Sequence, residues 1–538
     1  MELIMKKYIS ILSAAFLLVS TACDSDFAEL NTDPNNADEE LFDPNLLLPR
    51  ELYDYGNMTT GYSGPILFQS MWMQIMASTS TGGANYYTNG DKYAISGSTT
   101  TYIQSAWNAG YEVTSRVFEM QKLAEEKEMP NLYALGDIVK VLSLSYVSDV
   151  YGDIPYSEAG QAEEGNTRPV YDRQEDLYPA MLEDLDAAIL ALDDSRDEIT
   201  SDVLYGGDLD QWRKFGYSLM LKLAMRMVDV NPELSVEYAN RAIAGGVFES
   251  ADDEAVLPSD NTNGFANSNA NALLTAADIY QVRWSKVLID YMQATDDPRL
   301  AVVAEVPPAG LLANQNGSVV GDNDPDSQLG MPNGYDLNGG STDISTEPDY
   351  PGGTGSGDDA TPIGNYSRPT AIYRDRDAPV FVLTYAEIQL LLAEAAIRGG
   401  YNTAQTAAEY YENGVTGAMV AINKFGGTQI SSGDMADYAA NNPLDTGSEE
   451  NALRMINEQI WATTGLLNNY TEAWNNWKRT GYPELTPVNY SGNFANGMIP
   501  VRQIYPSSES TTNPDNLSTA ISNMGGNTWN TRVWWDTE

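Results

Sequence analysis

The chain has 538 residues, of which 42% are hydrophobic, and this composition is sufficient for a large buried core. Its 76 acidic residues outnumber the 29 Lys and Arg, and the resulting formal charge of −47 repels the phosphates of nucleic acids and excludes them as partners. The chain contains no histidine, which removes the commonest general base and every nucleophile paired with histidine, so we expect a binding protein and not an enzyme.

The N-terminus has the pattern of a secretory signal peptide. A short basic segment that begins at Met5-Lys6-Lys7 precedes an apolar run, Ile9–Val19, and small residues lead from there to Cys23, the single cysteine of the chain. The apolar run is too short to cross a bilayer. We predict that residues 1–22 are removed and that Cys23 is lipidated, because a lone cysteine directly after a cleavage site invites acylation. Cleavage after Ala22 without lipidation is the alternative.

Helical periodicity dominates the body of the chain. Apolar stripes predict helices over about 175–192, 210–227, 388–396 and 403–422. Asp172 and Glu175 are spaced as a capping box for the first of these, and Asp208 takes the same position before the second. Gly399 is expected to end the third. Helices joined in pairs by short turns are typical of tetratricopeptide-like repeats, so the predicted fold class is mainly α.

A polar, turn-rich segment, residues 23–40, predicts a lipid anchor and tether, and we expect residues 41–538 to form a single domain. Within it, residues from about 258 to 379 are rich in Gly, Asn, Asp, Ser and Pro. Long loops inside a domain are usually functional or mobile. A linker between two domains is the alternative, but scattered Tyr and Trp favour loops that pack on the helical body.

One part of this loop-rich segment resembles the opening of an EF-hand. Asp322, Asp324 and Asp326 have the required spacing, but Ser327 replaces the needed glycine and Asn333 stands where the bidentate glutamate belongs. An EF-hand is therefore rejected and no cofactor is expected. A looser Ca²⁺ site in so acidic a loop stays open.

Several strings along the chain are informative as an ordered set. They are Asp149–Tyr156, Pro169–Asp172, Asp202–Asp208, Asp297–Leu300, Leu383–Glu387 and Pro500–Arg502. In this order and spacing they closely resemble the SusD/RagB family of outer-membrane lipoproteins, and most of all its SusD-like, starch-binding-associated branch. The acidic residues that follow Cys23 also resemble the anchor of this family, where they accompany display at the cell surface.

The resemblance implies a fold, a location and a partner. It implies tetratricopeptide-like helix pairs with a variable, loop-rich segment that carries the ligand site. It also implies a lipoprotein on the outer membrane that faces the cell exterior and acts as a lid over a SusC-type TonB-dependent transporter. Such a lid captures an oligosaccharide or a peptide and delivers it to the barrel without breaking a bond.

The candidate ligand contacts follow from sugar chemistry. Neutral sugars are recognised by aromatic stacking on their CH faces and by directional hydrogen bonds. Asn85, Tyr86 and Tyr87 supply this equipment in one glycine-containing loop, and a loop in a similar place carries aromatic contacts in starch-binding members of the family. Tyr86 and Tyr87 packing on neighbouring loops is the alternative.

Two further aromatic candidates come from the loop-rich segment, in the stretches 261–284 and 335–366. Trp284 is placed on a predicted helix with Val287 and Leu288, a context that favours core packing over ligand contact. Tyr335 stands in a glycine-rich loop where exposure is expected.

Three other functions compete with oligosaccharide binding. Peptide cargo would keep the same lid role. A glycoside hydrolase would need two carboxyl groups across a cleft, and with so many Asp and Glu no spacing singles out a pair. A purely structural surface protein would bind no ligand and no transporter.

Overall fold

Helices make up most of the described chain in the computed structural model of this protein. The structure describes residues 42–61, 63–80, 87–95, 99–162, 165–274 and 281–537. The predicted signal peptide, Cys23 and the tether lie outside these residues. The chain divides into two units, Met1–Pro44 and Asn45–Glu538, and the second of them carries everything that follows.

The helices and strands of the described chain are numbered in chain order. The helices are α1 Leu48–Thr60, α2 Gln69–Trp72, α3 Thr88–Asp91, α4 Thr99–Tyr102, α5 Ser105–Glu126, α6 Pro130–Tyr151, α7 Gln174–Ala191, α8 Leu209–Arg226, α9 Pro232–Gly245, α10 Ser268–Leu274, α11 Lys286–Ala294, α12 Leu300–Val303, α13 Leu311–Gln315, α14 Tyr385–Arg398, α15 Ala407–Asn423, α16 Ser432–Asn441, α17 Glu449–Leu466, α18 Tyr470–Thr480, α19 Glu509–Thr512 and α20 Pro514–Asn523. The strands are β1 Met76–Ser78, β2 Ala255–Leu257, β3 Val282–Trp284, β4 Ala304–Glu305, β5 Arg368–Pro369 and β6 Val380–Leu383. Short 3₁₀ turns lie at Pro44–Leu46, Pro65–Leu67, Pro325–Ser327, Ile344–Thr346, Gly357–Asp359 and Ala371–Arg374.

The long helices pack as antiparallel pairs joined by short connections. Helix α5 packs against α6, α8 against α9, α14 against α15, and α17 against α18. Further contacts, α6 with α7, α8 with α14 and α14 with α17, join one pair to the next. The prediction of a mainly α fold built from tetratricopeptide-like helix pairs is confirmed.

Side-chain caps explain where several of these helices begin. The Asp208 carboxylate accepts hydrogen bonds from the backbone N–H groups of Asp210 and Gln211, at 2.9 and 3.2 Å, as predicted for the start of α8. At the start of α15, Thr406 and Glu409 form a reciprocal capping box. Polar side chains therefore satisfy N–H groups that the first helical turn leaves without partners.

The capping box predicted at Asp172 is wrong. Helix α7 follows Arg173, and its start has no side-chain cap. The Asp172 carboxylate instead accepts hydrogen bonds from the backbone N–H groups of Tyr156 and Ser157, at 2.8 and 2.9 Å. The Asp172 carboxylate, which local spacing assigned to the helix cap, therefore stabilises a loop instead.

A set of ion pairs crosses the core between α6, α8, α14 and α18. The Arg226 guanidinium donates to both Glu472 oxygens, at 2.9 and 2.8 Å, and to Asp149 at 3.2 Å. Lys222 lies 2.8 Å from Glu472 and 3.0 Å from Glu387. Burial opposes ionisation of Glu472, but Arg226 and Lys222 outweigh it and lower its pKa to about 2. Removing one partner would leave a buried charge unpaired, so this network fixes how the four helices meet.

The loop-rich segment leaves the helical body and returns to it at one pair of strands. Strand β2 ends at Leu257 and β6 begins at Val380, and the two residues face each other in an antiparallel ladder. The predicted limits, about 258 and 379, therefore coincide with the outer ends of this ladder. Both ends of the segment are held together at its base, an arrangement that an extended linker between two domains does not have.

A second and smaller hydrophobic cluster, formed by residues of the segment and by Ala77 of β1, lies apart from the main core. It consists of Ala77, Met331, Ile344, Ile363 and Tyr366. Three of the partly buried side chains around it are Tyr335, Leu337 and Tyr350. Part of the loop-rich segment is thus organised around an apolar cluster separate from the core of the helical body, whereas its scattered aromatic residues predicted packing on that body.

Candidate ligand-binding surface

Strands β1 and β3 form a short antiparallel ladder, and β3 contains Trp284, one of the predicted ligand contacts. Met76 faces Trp284 and Ser78 faces Val282. Beyond Ser78, the backbone N–H of Thr79 donates to the carbonyl of Gln281 at 3.3 Å. Asn85 and Tyr86, two of the predicted ligand contacts, lie outside the described residues.

Trp284 belongs to strand β3 and not to a helix, so its predicted secondary structure is wrong. Its side chain is 0% exposed, its indole Nε1–H donates to the Val303 carbonyl at 2.9 Å, and its ring meets Tyr373 edge-on with centroids 5.3 Å apart. This is the core packing that its apolar neighbours favoured. Trp284 offers no surface to a ligand in this conformation.

Tyr87 also points into the protein. The residue directly precedes α3, its side chain is 0% exposed, and its carbonyl accepts the backbone N–H of Asp91 at 2.9 Å. The ring belongs to the main hydrophobic core. Of the three described candidates, only Tyr335 is partly exposed.

A buried carboxylate ties α3, β1 and the Tyr335 loop together. Asp91 Oδ1 accepts the Ser78 N–H at 3.0 Å and the Asn333 Nδ2–H at 2.8 Å. Its Oδ2 accepts the Gly334 N–H at 2.9 Å and lies 2.8 Å from the Lys92 ammonium. The side chains of Asp91 and Lys92 are both 0% exposed, so this pair is a fixed anchor and not a surface salt bridge.

The same anchor sets the direction in which the chain leaves Asn333. Gly334 has φ +87°, and a Cβ there would lie 2.6 Å from Val488 Cγ1. Only glycine fits this left-handed, crowded position. The turn brings Tyr335 to the surface beside the loop that follows Val488.

Tyr490 completes the surface, and the sequence analysis missed it. Its hydroxyl donates to the Asp336 carboxylate at 2.7 Å, and the Thr342 hydroxyl donates to the same oxygen at 2.9 Å. Burial and the Asp336 carboxylate raise the pKa of Tyr490 to about 12, so the phenol stays neutral. The sequence does contain a pattern that could have indicated it. Asn489-Tyr490-Ser491-Gly492 combines an aromatic residue with an amide and a turn residue, as residues 81–87 do.

A third segment borders this surface. The backbone N–H of Phe494 donates to the Tyr93 carbonyl at 2.7 Å, and the Phe494 ring stacks on Trp529 with centroids 4.2 Å apart. Ile95, in the same segment as Tyr93, is 70% exposed. The residues of the Tyr335–Tyr490 surface are Ile95, Asn333, Tyr335, Asp336, Tyr490 and Phe494.

The chemistry of the Tyr335–Tyr490 surface suits binding. Tyr335, Tyr490 and Phe494 are half-buried, so part of each ring is accessible to solvent. The Asp336 carboxylate is already engaged by two hydroxyl groups. Over the described part of the chain, no group of three or more Cys, Asp or Glu side chains is arranged to hold a metal ion.

Comparison with known proteins identifies the family. A family model described as starch-binding and associating with the outer membrane matches residues 44–506. This chain belongs to the SusD-like family. The match extends over both the helix pairs and the loop-rich segment of this SusD-like protein. A comparison with curated protein sequences gave no match.

Solved structures of similar proteins share the architecture over almost their whole length. A chitin-binding protein is 28% identical with a TM-score of 0.76, covering 92% of this chain and 100% of its own. A SusD homologue from Bacteroides uniformis is 25% identical with a TM-score of 0.71, covering 91% and 99%. A SusD-like protein of the Bacteroidetes is 23% identical with a TM-score of 0.79, covering 92% and 100%, a likeness of fold. None of the described helices combines the length and apolar composition needed to cross a bilayer.

Proposed function

We propose that this SusD-like protein captures neutral oligosaccharides at the Tyr335–Tyr490 surface. The observation that carries the proposal is the pair of half-buried tyrosines on either side of Asp336, held in place by the buried Asp91 anchor. Rings fixed in this way can stack on a sugar without losing further side-chain entropy on binding. The family description and the chitin-binding relative support carbohydrate as the cargo.

We further propose that the protein acts as a lid and breaks no bond. Lipidated at Cys23 and displayed outside the outer membrane, it delivers its cargo to a SusC-type TonB-dependent transporter. Association of the family with the outer membrane supports the location. The formal charge of −47 favours neutral cargo over anionic glycans, which the surface would repel.

Calorimetry tests the cargo directly. The full chain with Cys23→Ser would be titrated with a chitin hexasaccharide, a starch hexasaccharide and a mixed peptide pool. We expect saturable heat with one hexasaccharide and none with the peptides. Heat with peptides alone would replace the cargo and keep the lid role, whereas shortened sugars after prolonged incubation would contradict the absence of catalysis.

Substitutions test the site. We expect Tyr490→Ala and Tyr335→Ala each to weaken hexasaccharide binding about tenfold, since loss of an aromatic platform costs ~1–1.5 kcal/mol. Tyr133→Ala is the matched control, because Tyr133 is a 40% exposed tyrosine on α6, far along the chain from the loops of this surface. Unchanged binding in both surface variants would show that the site lies elsewhere. Purification of tagged protein from native membranes would show whether a transporter barrel accompanies it.

A further inference from the structure

A closed loop within the loop-rich segment, residues 306–322, holds two large apolar side chains in water. Val306 and Asp322 pair at the base of the loop and exchange two backbone hydrogen bonds, each 2.8 Å long. From 306 to 321 the chain has no Asp, Glu, Lys or Arg. Leu312 and Val320 are each 80% exposed, more than any other large apolar side chain that the structure describes. This combination indicates a surface that contacts another molecule.

A buried arginine holds the backbone of the 306–322 loop from beneath. The Arg368 guanidinium donates to the carbonyl of Ala313 at 3.3 Å and to that of Val319 at 2.5 Å. These two residues adjoin Leu312 and Val320 in the chain, so one side chain draws both halves of the loop together. The Arg368 side chain is 0% exposed.

Glu305 and Arg374 complete this support. The Glu305 carboxylate accepts hydrogen bonds from Arg368 at 2.8 Å and from the backbone N–H of Gly321 at 2.9 Å. Arg374 donates to the Gly317 carbonyl at 2.9 Å. The loop is therefore ordered before any partner arrives, and a partner that binds it has little backbone freedom to remove.

Exposed carboxylates border the loop. Asp322 and Asp324 follow it directly in the chain, and both are exposed. A second acidic pair comes from another part of the segment, since the Asp359 carboxylate accepts the backbone N–H of Leu312 at 3.2 Å and Asp358 is its exposed neighbour. An apolar centre with a polar border is the usual anatomy of a protein interface. A protein that complements this surface has an apolar recess bordered by Lys or Arg.

The charge of the protein decides between the partners that an apolar loop could have. With a formal charge of −47, the chain repels anionic lipid surfaces and also a second copy of itself. A different protein with a basic border is attracted instead. The transporter of the proposed function is the protein that a lid has to contact.

We propose that Leu312 and Val320 form the centre of the contact between this protein and its transporter, which meets them with an apolar recess bordered by Lys or Arg. The inference rests on the proposed function for the identity of the partner. Neither residue belongs to the Tyr335–Tyr490 surface, so substitution can separate transporter binding from cargo binding. A few residues near the centre of an interface carry most of its binding energy.

Co-purification from native membranes tests the contact. The lipidated full chain with a tag would be compared with Leu312→Ser and Val320→Ser, and the recovered transporter would be quantified by mass spectrometry. We expect each variant to recover about tenfold less transporter than the parent, while hexasaccharide binding stays unchanged. Leu190→Ser is the matched control, because Leu190 is a 71% exposed leucine on α7.

The acidic border gives a second readout. Asp358→Lys reverses one exposed charge of the border, so it should lower transporter recovery at low salt, and high salt should reduce its difference from the parent. Leu312→Ser should lower recovery at low and high salt alike, because the contact that it removes is apolar. Equal recovery by Asp358→Lys and the parent at low salt would overturn the basic border assigned to the transporter.

Transporter recovery equal to that of the parent in both Leu312→Ser and Val320→Ser would overturn the inference and leave the proposed function standing. An equal loss in Leu190→Ser would also overturn it, because the effect would not belong to the loop. So would a parallel loss of hexasaccharide binding, since the variants would then disturb the whole protein. A parent chain that recovers no transporter would overturn the inference together with the lid role.

The lipid-free chain with Cys23→Ser tests the other two partners. It would be mixed with phosphatidylglycerol vesicles and, separately, examined by gel filtration, with and without Leu312→Ser. Vesicle binding that Leu312→Ser abolishes would assign the loop to a lipid surface and overturn the transporter contact. A dimer that Leu312→Ser abolishes would assign it to a second copy, with the same consequence.

Discussion

The Lys478 ammonium lies between two indole rings, 3.8 Å from the centroid of Trp474 and 4.5 Å from that of Trp535. It also donates to the Asp149 carbonyl at 2.7 Å. Trp535 stands three residues before the last position of the chain and is 1% exposed. Lys478 therefore links the C-terminal segment to the helical core through cation–π contacts. These contacts are buried from water.

We predict that Lys478 makes the free energy of unfolding rise from neutral to alkaline pH. Burial lowers its pKa from 10.5 to about 7, so the folded protein releases a proton near neutrality that the unfolded chain keeps. The free energy of unfolding should then rise between about pH 7 and about pH 10, by at most ~1.4 kcal/mol per pH unit. Urea unfolding at several pH values should show this rise in the wild type and its loss in Lys478→Met.

Lys286→Met is the matched control for that measurement. The Asp290 carboxylate lies 2.9 Å from the Lys286 ammonium and raises its pKa, so Lys286 stays charged over the same pH range in both states. A pH dependence that Lys478→Met leaves unchanged would mean that Lys478 is ionised alike in the folded and unfolded chain.

Glu51 should have the opposite effect to Lys478 and lower the free energy of unfolding as the pH rises, over a lower pH range. It is 0% exposed on α1, and neither carboxyl oxygen has a hydrogen-bond partner among the described residues. Burial raises its pKa to about 8 and outweighs Arg116 and Arg50, which favour the charged form. The folded protein thus keeps a proton that the unfolded chain loses above about pH 4.5, and the free energy of unfolding should fall from there to about pH 8.

Thermal or urea unfolding of Glu51→Gln tests this second pH effect. We expect the free energy of unfolding of the variant to change little over this pH range. At about pH 8 it should be higher than that of the wild type, since the variant has no charge to bury. Glu112→Gln, an exposed carboxylate that pairs with Arg116, serves as control. A parallel pH dependence in wild type and Glu51→Gln would contradict the assignment.

The Asp91 anchor should be necessary for the fold as well as for the ligand surface. Asp91→Asn leaves the buried Lys92 ammonium without a carboxylate partner, which costs ~3–5 kcal/mol in comparable sites. It also weakens the hold on Asn333 and Gly334, so hexasaccharide affinity should fall. The double variant Asp91→Asn/Lys92→Met should recover much of the stability, because the unpaired charge is gone. A loss below ~1 kcal/mol in the single variant would contradict this view.

Cys23 is predicted to carry the membrane anchor. With Cys23→Ser, the protein should move from the membrane fraction to the soluble fraction and should no longer incorporate labelled fatty acid, because serine cannot form the thioether. Ser25→Ala, two residues further on, should stay in the membrane fraction. Fatty-acid labelling that persists in Cys23→Ser would place the acyl group elsewhere.

The helical part of the fold could be predicted because its signals are local. The stripe around Trp212 and Phe215 has a helical period, and Asp208 caps the helix that it predicts. The turn-forming composition of the loop-rich segment also begins and ends beside the paired residues Leu257 and Val380 of β2 and β6. Periodicity and composition are both properties of residues close in sequence.

The candidate site was harder to predict from the sequence, because contacts between residues distant in the chain decide which side chains are exposed. Trp284 belongs to a strand of three residues, which is too short for a period of two to stand out from its helical neighbours. Tyr87 is followed directly by a short helix, and that placement buries its ring. Tyr490 is far from Tyr335 in sequence, and tertiary contacts bring their loops together, such as the hydrogen bond from Tyr490 to Asp336.

The closed base of the loop-rich segment bears on how such proteins diversify. Strands β2 and β6 hold both ends of the segment side by side, but its interior is joined to the helical body, since Trp284 belongs to the main core and Arg299 donates to Gln459 of α17. A recombination event with breakpoints in these two strands would transfer Asn333, Tyr335 and Asp336 together, while Tyr490 and Phe494 would still come from the recipient chain. A new specificity acquired in this way is therefore limited to donor segments whose buried contacts match the recipient's helical body.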